Sequence, residues 1–590
     1  MHCTGGQASA VALAAPCRAD AIESGASEEA WSVRYRGETV LRASIRTAGI
    51  IVATGFLLLG ASFAHAASNS QSLAALVRDG NHDAVLAAIT SPDIDVDARE
   101  PDGSTALLWA TYKVDHELVR ALLKKGAKAN VSNDFGSSPL IEAVKLGDVD
   151  LTRMLLGAHA DANSPNPDGQ TALMLASSLG SQKVAELLIA QGANVNAVES
   201  FRGQTALMWA AAENHPEVVE LLVAHGADVK RRAKADDWPR QMTSEPRAQF
   251  RPTGGFTALL YATRSGCYRC AVAIVKAGAD INQPNPDGIT PLLNAIDARS
   301  FDIAMFLLDQ GANAGAWDMY GRTPLYCAID VNSWVPRAPG GASGFAGYPG
   351  ATVLQAGNTA TAMDVANRLL RLGVDPNHEL TRMRPNGNGR GRFEDYMMRG
   401  GATALMVAAL SYDAVAIKAL LAHGAEVDAP NDFEITPLMA AASMSGAVHS
   451  LLEPAERADV QAAALRAIDL LLDGGATINA RVTGGRTHTT KITAYIQGRD
   501  HEGQTALFAA AESGWDQVTQ HLVERGADPT VRDADGKTAF DYAKSPRPAG
   551  TRTLWAAPAR LAAARAATVA YLGSLASRPA ASADTAMAKP

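Results

Sequence analysis

Cysteine is scarce in this chain: five residues among 590, at positions 3, 17, 267, 270 and 327. That density excludes a disulfide-built scaffold and leaves stability to packing. Positive charge is not in excess either. Lys and Arg total 53 against 61 Asp and Glu, a formal net charge of -8, which excludes generic nucleic-acid binding through overall charge but not local basic patches. Aromatic residues make up only 6% while apolar residues reach 47%, so the chain is not intrinsically disordered. The excess is mainly Ala and Leu, the mix that closely packed short helices require. Catalytic signatures are missing as well. The 13 His show no H-E-x-x-H or comparable ligand spacing, and no Ser-His-Asp set accompanies a nucleophile motif. Gly387-Asn-Gly-Arg-Gly-Arg392 follows no strand and lacks the final Gly of a phosphate loop. No catalytic residue, metal or cofactor is expected.

The segment from 40 to 66 has the layout of a secretory signal: Arg42 and Arg46, the uncharged run from Ala48 to Ala64, then Ala64-His65-Ala66 ahead of Ala67. Cleavage is expected between Ala66 and Ala67, placing the body in the periplasm or outside the cell; an uncleaved signal anchor in the inner membrane, facing the periplasm, is the alternative. No lipobox Cys follows, and the two Arg are not a twin pair. Residues 1 to 39 carry no sustained helix or strand period. They are read as a non-structural extension ahead of a start at Val40 or Leu41.

A chain this long is either several domains or an extended array, and an internal repeat decides between them. Thr or, once, Ser, then Ala or Pro, then Leu or, in the last copy, Phe recurs at Thr105, Ser138, Thr171, Thr205, Thr257, Thr290, Thr323, Thr403, Thr436, Thr505 and Thr538. The spacings are 33, 33, 34, 52, 33, 33, 80, 33, 69 and 33. A second marker, Leu-Leu-x-x-Gly-Ala or a near variant, places Gly at 126, 192, 226, 278, 311, 373, 424, 475 and 526, with His159 standing in once. Each unit thus holds two short helices, and the Gly ends the second in a left-handed conformation.

This pattern resembles the ankyrin repeat. The resemblance runs from roughly 97 to 543, as in Pro286-Asp287-Gly288-Ile289-Thr290-Pro291-Leu292 followed by Gly311-Ala312-Asn313. It implies an all-α solenoid of about ten helix-turn-helix units with β-hairpin fingers. A capping half-unit is expected over 67–100, the solenoid over 101–543 with a truncated last unit at 534–543, and an Ala/Pro-rich tail with a possible capping helix over 544–590. The family's His after Thr-Pro-Leu is replaced by Leu108, Ile141, Met174, Met208, Leu260, Leu293, Tyr326, Met406, Met439 and Phe508, a packing variant.

The two markers locate insertions at about 230–254, 331–360, 380–400, 443–461 and 481–500. The first, third and fifth lie on the finger side and share a sign, carrying net charges of +4, +3 and +3. Arg231, Arg232, Trp238, Arg382, Arg384, Arg390, Arg392, Tyr396 and Arg486 are the candidate partner contacts there, because Arg and aromatic side chains anchor interfaces. On the inner helices, the residue before the motif's Ala should face the concave side. It reads Trp109, Glu142, Leu175, Trp209, Tyr261, Asn294, Cys327, Val407, Ala440 and Ala509, and Trp109, Trp209 and Tyr261 join the candidates. Cys267-Tyr268-Arg269-Cys270 offers either a local disulfide or inert thiols; no second pair exists for zinc and no His follows for haem.

The expected function is an exported, bacterial, monomeric scaffold that binds another protein through fingers and inner helices, with no nucleic acid and no small-molecule cofactor. A binder of acidic envelope glycan or lipid headgroups through the basic insertions is the alternative, and a C-x-x-C thiol-redox protein a third reading.

Overall fold

The structure is a computed structural model describing residues 72–236, 254–333, 357–381, 400–432, 434–442, 454–483, 502–545 and 558–576. The signal segment with Ala66 and Ala67, and the candidates Trp238, Arg382, Arg384, Arg390, Arg392, Tyr396 and Arg486, lie outside the described residues.

The described chain alternates between two helical layers. The inner layer holds α1 (Leu73–Arg78), α3 (Ala106–Tyr112), α5 (Pro139–Lys145), α7 (Ala172–Ser178), α9 (Ala206–Ala212), α11 (Ala258–Ser265), α13 (Pro291–Asp297), α15 (Pro324–Ser333), α17 (Ala404–Leu410), α19 (Pro437–Ala441), α21 (Ala506–Ser513) and α23 (Ala539–Lys544). The outer layer holds α2 (His82–Ala88), α4 (His116–Lys124), α6 (Val149–Gly157), α8 (Gln182–Ala190), α10 (Pro216–Ala224), α12 (Tyr268–Lys276), α14 (Phe301–Asp309), α16 (Ala362–Arg371), α18 (Ala414–Ala422), α20 (Pro454–Asp473), α22 (Asp516–Glu524) and α24 (Pro558–Ala576). Each helix packs on its predecessor and successor in the same layer, so both layers run unbroken past every insertion. Most of these helices are seven or nine residues long, too short to persist alone in water, so the array depends on stacking.

Local chemistry sets the helix starts. The motif Thr, or Ser138, N-caps the inner helix: its hydroxyl accepts from the backbone N–H three residues on, at 3.2–3.4 Å in ten units. Asp115, Asp148 and Asp413 cap outer helices in the same way. The ten side chains at the family's His position are all buried. Leu and Ala between the layers form one continuous apolar core.

Two expectations change. The N-terminal half-unit is a full helix pair, α1 and α2, with Ser72 capping α1; Ser-Leu-Ala replaces Thr-Ala-Leu there and no Gly-Ala marker follows. At the other end α24, in the tail where a capping helix is expected, packs on α21, α22 and α23. Within the insertion placed at 443–461 the chain is helical from Pro454, because α20 extends to 20 residues. The 34-residue spacing has a local cause: one extra residue in the finger between Glu199 and Gln204, which close on each other through Glu199 N–H and the Gln204 carbonyl.

A side-chain ladder joins the turns that follow the outer helices. Asn130, Asn163, Asn196, Asn282, Asn377 and Asn479 each accept, at 2.6–2.9 Å, the backbone N–H of the equivalent turn in the next unit. Asp97 and Asp428 do the same. All but Asn282 among the Asn also donate to a carbonyl of that next turn. Each rung satisfies groups exposed at a helix C-terminus.

Candidate functional site

Fingers join adjacent fingers through the backbone. Asp134 N–H donates to Asp102 O at 2.9 Å, Ser200 to Asp168 at 3.0 Å, Met319 to Asp287 at 2.9 Å and Ala534 to Glu502 at 3.0 Å. The interrupted fingers stay in this register: Lys234 donates to Arg202 O, Thr381 to Tyr320 O and Asp432 to Gly400 O. Their arms pair across the gap. Arg232 bridges Thr257 and Ala235 bridges Gly254, Leu380 N–H donates to Ala402 O at 3.0 Å, and Val482 N–H to Gln504 O at 2.9 Å. The three basic stretches therefore leave the array from equivalent fingertips. Close finger stacking also explains Gly136, whose φ of 77° and contact with the Pro167 ring leave no room for a Cβ.

Of the finger candidates, Arg231 and Arg232 are described. Arg231 is exposed and Arg232 half-buried, at the foot of the first long finger. Arg481, counted in the third basic stretch, donates to the carbonyls of Gly503 and Arg532 and ties its own finger to the next. The short fingers expose two aromatics that sequence reasoning missed, Phe135 at 76% and Phe201 at 74%. Phe135 stands at a fingertip position occupied by Asp102, Asp168, Asp287 and Asp535 elsewhere, so a polar-to-aromatic change was its available signal.

The inner-helix row divides in two. Trp109, Glu142, Leu175 and Trp209 are half-buried, whereas every described residue of the row from Tyr261 onward is buried. The Trp109 indole N–H donates to Glu100 at 2.8 Å, and its ring meets the Tyr112 ring edge-on at 5.8 Å; Tyr112 is 58% exposed. Trp209 presents a ring whose N–H is buried without a hydrogen-bond partner. Tyr261 is not an open contact. It is 6% exposed, its hydroxyl accepts from Gln204 at 2.7 Å, and the Arg264 guanidinium covers its ring at 5.1 Å. Beyond it, Asn294 donates to Leu260 O and Thr263, both at 2.8 Å. Cys327 sits beside Arg322, Asp297 and Asp318, where burial pushes its thiol well above the usual range. Arg322 is spent on those two carboxylates, at 3.0 and 2.7 Å.

Cys267 and Cys270 are joined in a disulfide, with Cα atoms 5.2 Å apart. Cys267 is the N-cap of α12, and its sulfur accepts the Cys270 N–H at 3.2 Å. At 2% and 0% exposure the pair lacks the access that thiol exchange needs. Among the described residues no cluster of His, Cys, Asp and Glu is arranged to hold a metal ion, and no helix is long and apolar enough to cross a membrane.

Short helix pairs in two layers, opened by Thr caps and joined by hydrogen-bonded fingers, define a repeat solenoid that presents surface instead of enclosing a reaction centre. The family model for three ankyrin repeats matches residues 72–165, 140–233 and 259–335, and the single-repeat model matches 400–432 and 502–534. The chain belongs to the ankyrin repeat family. No curated protein matches it. Ankyrin repeats generally mediate contacts with protein partners, and the proteins that carry them are typically non-enzymatic scaffolds.

Proposed function

We propose that this protein is an exported, monomeric scaffold that binds another protein with the N-terminal half of its inner-helix row and its finger edge. The observation that carries the reading is the register of the basic stretches: all three depart from fingertips joined in the same backbone ladder. Arg231 and the exposed Phe135 and Phe201 belong to that finger series. Trp109, Tyr112 and Trp209 supply aromatic surface on the inner helices, where a few anchors carry most binding energy. Basic loops on one edge steer an acidic partner toward it. Export is supported by the signal layout around Arg42 to Ala67 and by the Cys267–Cys270 disulfide, a bond that persists in oxidising compartments.

The common register also favours a second reading, in which the basic stretches bind an acidic envelope glycan or lipid headgroup. Crosslinking pull-down from the cell envelope separates the two, using the chain from Ala67 and a folded variant with Arg231, Arg232, Arg382, Arg384, Arg390 and Arg392 changed to Ser. One discrete protein retained at high salt and lost with the variant supports the scaffold. Steeply salt-sensitive binding to varied polyanions, with no discrete protein, supports the second reading. Equal capture by both forms removes the fingers from either role.

A further inference from the structure

Eight junctions between successive turns carry an Asn or Asp rung, and two do not. At the equivalent positions stand Lys230 and Gly315. The N–H groups that a rung would hold there belong to Asp280 and Asp375, counted from Gly278 and Gly373 as Asp228 is from Gly226. Gly offers no side chain, and an ammonium group accepts no hydrogen bond. Across these same junctions the outer helices are tied by exposed ion pairs. Arg269 on α12 reaches Glu217 and Glu220 on α10 at 2.5 and 3.0 Å; Arg368 on α16 reaches Asp309 on α14 at 3.3 Å. Arg269 is 53% exposed, so its pair is weak and screened by salt. At the second junction Asp302 also holds Thr359 and Ala360, but at the opposite end of α14 from the missing rung. Arg525 makes a similar tie to Asp469 and Asp473, where the Asn479 rung is present as well.

We infer that the turns following the outer helices carry two compliant, salt-sensitive junctions, one between the turns after α10 and α12 and one between the turns after α14 and α16. A neutral, geometry-fixed bond is replaced at each by a charge pair that tolerates sliding. The pairs α1 to α10 form one firmly laddered block, α11 to α14 a second, and α15 onward a third. Sliding then falls on the outer turns of the two junctions, because the inner layer stays tied by the Gln204–Tyr261 and Ser265–Ala211 bonds at the first and the start of α14 stays tied through Asp302 and Asn358 at the second. The inference is independent of which partner is bound.

Hydrogen exchange on the full chain, resolved to single amides, tests this directly. Asp280 and Asp375 should exchange about tenfold faster than Asp161, Asn194 and Asp228, the loss expected for one such bond. Lys230→Asn with Gly315→Asn should slow both amides toward the other rungs. Gly315 has no left-handed φ, and a Cβ there meets only Asn313 Oδ1 at 3.7 Å, so the variant is housed without strain. Raising NaCl from about 50 to about 500 mM should speed exchange at these two junctions alone, and Arg269→Gln with Arg368→Gln should abolish that response. Equal protection of Asp280 and Asp161 in the native chain would overturn the inference. So would a folded Asn variant with unchanged exchange, or a salt response spread evenly over all ten junctions.

Discussion

Gln204 and Tyr261 stand 57 residues apart in sequence, yet the Gln204 amide donates to the Tyr261 hydroxyl at 2.7 Å in a buried contact. The bond locks a finger to the inner helix of the next unit across the whole first long finger. Tyr261→Phe keeps the ring under Arg264 but strands the Gln204 amide, which is 7% exposed. The expected cost is about 1–2 kcal/mol, read as a lower urea midpoint. Binding by the folded variant should be unchanged, because this ring has no open face; a loss of partner capture without loss of stability would return Tyr261 to the recognition surface.

Trp109 and Trp209 occupy equivalent positions and should respond in opposite ways to the same substitution. Trp109→Phe breaks the bond to Glu100 and should cost about 1–2 kcal/mol, since the bond is charge-assisted. Trp209→Phe removes a buried N–H that has no partner, so stability should hold or rise slightly. Chemical denaturation of the two single variants distinguishes them, and equal losses would refute the assignment.

Much of the array was legible because the repeat encodes its own geometry. Thr105 and its equivalents announce each inner helix by the cap they form, and the Gly markers announce each outer helix end. The second helix of the first unit was not legible, because no Gly-Ala marker follows Ser72 and packing across a junction leaves no local word in the sequence, whereas the Ala-rich stretch near 559–576 did suggest a capping helix. The Asn ladder was present in the motif, but its partner lies one unit away, so Asn130 gave no hint of a bond to Asp161. Tyr261 was misread for the same reason. An aromatic at a facing position does not reveal that Gln204 and Arg264 already occupy it.

Val114 adopts φ 59° in the turn between α3 and α4, a conformation that β-branched residues rarely tolerate. Gly147, Gly180 and Gly266 stand at the equivalent turn in other units, with φ of 68, 68 and 73°. Val114→Gly should therefore stabilise the chain by about 1 kcal/mol, the side chain being 44% exposed and contributing little burial. A lower thermal midpoint in the variant would show that the side chain contributes packing that outweighs its strain.

The Cys267–Cys270 bond closes only a short loop, so its removal should cost about 2 kcal/mol by loop entropy. Burial should matter more to its chemistry than to its energy. Native protein treated with reductant and an alkylating agent should stay unlabelled at both positions, and label only after denaturant is added. Rapid native labelling, detected by intact mass, would mean that the α11–α12 turn opens readily and would revive an exchange role.

Acid should loosen the array before base does. At Asp148 burial opposes ionisation, but the Leu151 N–H and His116 outweigh it; at Asp533 burial is likewise outweighed by the Tyr542 hydroxyl. For Asp541, the Thr538 N–H holds the carboxyl down directly. All three lie below the usual carboxylate value, so their stabilisation is present above the unfolded pKa and is lost as pH falls through the folded one. His82 has the opposite sign: its hydrogen bond to Asp115 raises its pKa against the effect of burial, so its contribution is in place at low pH and fades as pH rises through the raised value. Stability should be nearly flat from pH about 5 to 7 and fall steeply below about 4. Asp148→Asn with Asp533→Asn should lower the plateau and flatten the acid limb, whereas His82→Gln should leave that limb intact and remove a shallow decline on the alkaline side. A thermal-melt series across pH checks both, and an acid limb unchanged in the double Asp variant would locate the sensitivity elsewhere.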